Sequence, residues 1–183
     1  MQPTPTELQR QIDNLIRIGT VTAVRSGECR VKTGDLITNW RPYATARAGK
    51  NRTRNRLSIG EQVLLLSVSG DLRNAYIAAV INAAAFPEPL ADDDNPDLDR
   101  TEYADGAVIE YNPATGELNA TGILSARVKA SVSVTFDSPK VICTNLLQAK
   151  RVVSETAKVG PVEVTTHAHG GVQGGSGQSG GPV

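Results

Sequence analysis

The sequence predicts an all-β chain carrying one short N-terminal helix: a small barrel comes first, then thin strands that need other copies of the chain to complete them. Three observations predict this. Five short β-like segments, separated by turn residues, fall within residues 19–85. Further on, Ala126, Val128, Ala130, Val132, Val134 and Phe136 occupy every second position, interleaved with Arg127, Lys129, Ser131, Ser133, Thr135 and Asp137. That is the alternation of a strand with one buried face and one wet face. Finally, aromatic residues make up 4% of the 183 positions. This is thin for a conventional core, so association is expected to supply the rest.

Nineteen basic and nineteen acidic side chains cancel, so global charge gives no argument for a nucleic acid or a membrane surface as partner. Residues 1–10 contain no apolar signal-peptide core, and no run approaches a membrane-spanning length. The chain is expected to be made and to fold in the cytoplasm. Cys29 and Cys143 lie far apart and are expected to be two reduced, buried thiols.

Residues 4–18 read as an amphipathic helix. Thr4 or Thr6 caps it and Pro5 sits in its first turn, while Leu8, Ile12, Leu15, Ile16 and Ile18 form its stripe, which Gly19 ends. Strands are expected at 20–24, 29–33, 36–40, 62–68 and 75–81. Turns at Ser26-Gly27, Gly34-Asp35 and Ser69-Gly70-Asp71 separate them. Five strands over so short a span suit a small barrel such as an OB-fold.

The loop 41–56 carries Arg41, Arg47, Lys50, Arg52, Arg54 and Arg56, and no acid occurs from Leu36 to Gly60. It reads as a docking loop for a protein partner or as a solvated loop held extended by its own charge. Single-stranded nucleic acid bound through this loop is the alternative function. It is disfavoured because only Trp40 and Tyr43 are near to stack on bases.

Residues 86–100, with three prolines and six acids, read as a solvated acidic linker. The acids do not fit a calcium loop. Counted from Asp93, position six is Leu98 where glycine is required, and position twelve is Ala104 where glutamate is required. Residues 103–111 and 116–122 read as a hairpin around 112–115, followed by the alternating run. Such thin strands cannot stand alone, and three chains winding together would cover their apolar face and their edges.

The two histidines of the chain, His167 and His169, are two residues apart, so on a strand both project from one face. Two imidazoles are at most half a metal site, and no cysteine or acid close by completes it. The pair reads either as a solvated motif in a flexible tail or as one third of a site shared by three chains. Six neutral imidazole nitrogens would suit a first-row transition metal and not calcium or magnesium. The glycine-rich residues 170–183 read as a flexible tail, or as a fold over a narrow tip.

The chain resembles the central spike, or baseplate assembly protein V, of contractile-tailed phages and R-type pyocins. The resemblance runs through the N-terminal helix into Ile18-Gly19-Thr20-Val21, then 27–34, Thr38-Asn39-Trp40, Arg47-Ala48-Gly49 with Arg52-Thr53, and 58–64. It continues in Asp105-Gly106-Ala107-Val108-Ile109-Glu110-Tyr111, in 141–145 and in the histidine pair. It implies a homotrimer with an N-terminal helix (1–18), an OB-fold collar (19–85), a linker (86–100), an intertwined triple-stranded β-helix (101–165) and a pointed, metal-bound apex with a Gly-rich tail (166–183). His167 and His169 of three chains would hold one iron ion with six histidine ligands, zinc and nickel being the other ions considered. The resemblance also implies a structural, non-enzymatic component of a tail baseplate or pyocin tip. Its partners would be tail-hub proteins and the outer membrane of a Gram-negative target cell, which it would pierce during sheath contraction, and no nucleic acid.

Overall fold

The computed structural model describes residues 3–90 and 95–164. The chain divides into two compact units, 1–127 and 128–183. Among the described residues the fold is mostly β, with one short helix and an OB-like barrel. No helix among them is long and apolar enough to cross a membrane.

The helix, α1, spans Pro5–Leu15. The Thr4 side chain caps it by accepting from the Glu7 backbone N–H at 3.3 Å, and Pro5 opens the first turn. It stops three residues short of the expected end. Ile16 and Ile18 belong instead to β1, Ile16–Arg25, because a β-branched pair two apart suits a pleated ladder better than a helix turn. The expected apolar stripe is also largely uncovered, since Leu8, Ile12 and Leu15 are exposed.

Five more strands, two of them only two residues long, complete the barrel: β2 (Glu28–Thr33), β3 (Leu36–Ile37), β4 (Arg41–Pro42), β5 (Gln62–Ser67) and β6 (Ala75–Ile81). The expected strand 36–40 is broken in two. Thr38 turns inward, donating its backbone N–H to the Val31 carbonyl at 2.9 Å while its hydroxyl accepts from the Val31 N–H at 3.0 Å. The sheet runs β3-β2-β1-β5-β6, antiparallel throughout, with β4 also paired to β2. The ring closes where Tyr43 bridges Ile77 and the Ala44 N–H reaches the Ile77 carbonyl at 2.8 Å.

Alternation along these strands builds the core. Val21, Cys29, Val31, Val63, Leu65 and Ile77 are buried together, with Val24, Tyr43 and Leu57 packed against them. Two glycines are required by close approach. A Cβ on Gly19 would meet Val31 Cγ1 at 2.5 Å and the Lys32 carbonyl at 2.6 Å, so only glycine lets β1 cross β2 there. Gly70 has φ +66°, and a Cβ on it would meet the Gln11 carbonyl at 2.1 Å, so it seats α1 against the turn after β5. Arg17 ties helix to sheet, donating to Asn14 Oδ1 at 2.8 Å and to Thr33 Oγ1 at 3.0 Å.

A second sheet follows, β7 (Asp99–Glu102), β8 (Val108–Asn112) and β9 (Glu117–Thr121), in that order and antiparallel. The hairpin β8–β9 matches the expectation. The start of β7 falls in the stretch read as a solvated linker. What draws that stretch into a sheet is Arg100, which pairs with Glu102 at 2.6 Å and with Glu110 on β8.

Cys29 is buried as expected, whereas Cys143 is exposed, because the segment that carries it has no core of its own. Burial, and then the field of the Glu61 carboxylate, pushes the Cys29 thiol up to about 11 from 9.0. An acid with a raised folded-state pKa contributes stability that is fully present below its unfolded pKa and is lost as pH rises through the folded value. The urea midpoint of barrel unfolding should therefore fall between pH 9.0 and about 11, and fall less steeply in Cys29→Ala. Identical slopes for the two proteins would show that the thiol is not responsible.

Candidate functional site

The segment most in need of a partner is 122–164. Apart from one small hairpin, β10 (Lys158–Val159) with β11 (Val162–Glu163), it contains no strand. Between residues 123 and 156 no backbone N–H donates to a backbone carbonyl among the described residues. The bonds present there are local side-chain contacts, such as Ser138 Oγ to the Lys140 carbonyl at 3.0 Å and Cys143 Sγ to the Leu146 carbonyl at 3.1 Å.

The alternating run therefore forms no intrachain ladder, and within one chain neither of its faces is covered. Val132 is 95% exposed and Phe136 75%. Val128, Val141, Ile142, Leu146, Leu147, Val152 and Val153 are exposed as well. Soluble proteins rarely leave so long an apolar series in water. Each of these side chains would gain about 1.5–3 kcal/mol from full burial, and each unpaired amide is an open invitation to another strand.

The basic loop is ordered. Thr53 N–H donates to the Arg47 carbonyl at 3.0 Å, Arg47 N–H to Thr53 Oγ1 at 3.1 Å, and the Thr45 and Thr53 hydroxyls are 2.7 Å apart. With the Ala48–Arg52 bridge these contacts make a small hairpin over 45–53. A cavity of about 230 Å³ lies beside it, lined by Ser26, Gly27, Tyr43, Thr45 and 53–56. Arg41 stands apart, donating to the Arg73 carbonyl across the barrel. The one tryptophan is already engaged: the Arg25 guanidinium lies 4.5 Å from the Trp40 ring centroid and that of Arg30 5.9 Å. Sequence reasoning had no signal for this stack, which depends on the β1–β2 register. His167 and His169 lie outside the described residues.

Three comparisons bear on these surfaces. Residues 17–81 match the family described as the type VI secretion system/phage-baseplate injector OB domain. Residues 122–182 match the family described as the phage spike trimer. The spike protein of Escherichia phage P2 is 40% identical to this chain over 158 residues, which is 77% of this chain and 74% of that protein. The chain belongs to the phage baseplate spike proteins. The OB match covers β1 to β6, and the spike match starts directly after β9. For a spike of this family, 122–164 is the segment whose chemistry most needs explaining.

Proposed function

We propose that this baseplate spike is a homotrimer whose 122–164 segments wind together into a triple-stranded β-helix, and that this needle breaches the outer membrane of a Gram-negative cell when a contractile tail fires. One observation carries the reading: the segment leaves its backbone unpaired and its apolar residues in water within a single chain. Three such chains supply both needs at once. Backbone groups pair between copies, Val128, Val132, Val134 and Phe136 turn inward, and Arg127, Lys129, Ser131 and Ser133 face solvent. An edge-free, hydrogen-bonded rod is stiff along its axis, as a puncturing device requires. The description of the family matched by residues 122–182 is that of a trimer, which supports the stoichiometry. The chain would act as a virion component seated by its OB unit on tail-hub proteins, without catalysis.

We further assign one iron ion per trimer to His167 and His169 of the three chains, zinc or nickel being the other ions such donors take. The donor set fits: two neutral imidazoles per chain give six nitrogens, a set that suits a first-row divalent ion. When bound, the ion supplies a crosslink with no catalytic part. The histidines tie three chain ends together where fraying of the rod would begin.

Substitution separates this account from a lone chain. Val132→Asp costs almost nothing if the residue stays in solvent, but inside a threefold stem it places three carboxylates in an apolar interior. Native mass spectrometry should give a trimer for the wild type and monomer for Val132→Asp; a variant that still forms trimer would refute the inward face. In the same spectra, wild-type trimer should carry the mass of one transition-metal ion. His167→Ala/His169→Ala should form trimer without it, and retention of a stoichiometric metal by that variant would refute the ligand assignment.

A further inference from the structure

The ion pairs among the described residues use Arg10, Arg25, Arg73 and Arg100. None uses Arg47, Lys50, Arg52, Arg54 or Arg56, although the 45–53 hairpin, which carries the first three, is tied down by its own hydrogen bonds and the other two follow it directly. Three acids of the barrel, Glu28, Asp71 and Glu61, are engaged elsewhere, and Asp35 is exposed but forms no ion pair with the loop. Glu28 pairs with Arg25, Asp71 with Arg73 at 2.9 Å, and Glu61 accepts from the Ser58 N–H at 3.0 Å. The segment after the barrel shows the reverse imbalance: Glu88, Asp97 and Asp99 are exposed and form no ion pair with a described cation. The chain is neutral, yet the cations of its basic loop and the described acids Glu88, Asp97 and Asp99 form no ion pair with each other within one copy.

We propose that the basic hairpin of one copy docks on the acidic stretch of a neighbouring copy, Arg52, Arg54 and Lys50 facing Glu88, Asp97 and Asp99. This rests on the threefold assembly, which holds the units of three copies at high local concentration. Carboxylates are favoured over a nucleic acid strand because the ring that would stack a base, Trp40, is flanked by Arg25 and Arg30. Docking of this kind fixes register and orientation through complementary charge more than it adds affinity. It would lock the collar against rotation while the stem is under load.

Zero-length carbodiimide cross-linking of the assembled full-length protein tests it. At low salt, Lys50 should be joined to Asp97 or Asp99 in a peptide pair found in the dimer band and missing from the monomer band. The pair should be lost at 1 M salt, where screening acts within about 3 Å, and lost in R52E/R54E. A trimer by native mass that never yields this pair overturns the docking and leaves the threefold stem intact, whereas a monomer overturns both. Salt-sensitive retention of single-stranded DNA that R52E/R54E abolishes, without the cross-link, overturns it in favour of a nucleic-acid partner.

Discussion

An extended backbone is stable only where its N–H and C=O groups find partners, and in this protein the division of labour between the two halves of the chain follows from that constraint. The barrel satisfies it internally. β1 pairs on one side with β2 and on the other with β5, and the segment after β4 returns to β6 to close the ring. The small sheet β7–β9 satisfies it in part. From residue 123 to 156 no described backbone group finds a backbone partner, and only a few find a local side chain. A sequence with this much apolar character in that stretch is built for partners that are other copies of itself, and the threefold stem we propose is the simplest closed answer. It also accounts for the low aromatic content. A rod three strands across has little interior width, so Ala and Val fill most of it and Phe136 is the one ring of the alternating run.

Much of the barrel was legible in the sequence because its period-two patterning coincides with its turn chemistry. Ser26-Gly27 and Gly34-Asp35 sit where the chain reverses, and both glycines have positive φ. The errors fall where tertiary contacts outrank local pattern. Ile16 and Ile18 continue the helical spacing of α1 yet join β1. The 36–40 strand breaks because Thr38 satisfies the Val31 backbone in two directions. Asp99 reads as linker until Arg100 finds Glu110 across a sheet. In 126–136 the alternation is as clear as any in the chain, yet one copy builds no strand from it. Periodicity announces which face wants burial and is silent about which molecule supplies the cover.

Charge tells a related story. The two opposite stretches were visible as sequence runs, but their lack of intrachain partners was not, because nearby acids such as Glu28 and Asp71 look equally able to pair with them. The β1–β2 register gives Glu28 to Arg25, and the turn before β6 gives Asp71 to Arg73. In the proposed assembly the barrel pairs its strands internally and is short of charge partners, while the stem is short of both backbone partners and cover. Each shortage is met by another copy.

Hydrogen exchange of the backbone amides of residues 126–153, measured on the purified full-length protein, tests the central claim most directly. The account predicts strong protection throughout this segment, as in an interior sheet, although one chain offers those amides no backbone acceptor. Exchange at the rate of an unstructured peptide would contradict it, and would mean that the stem finds its partners somewhere other than in copies of itself.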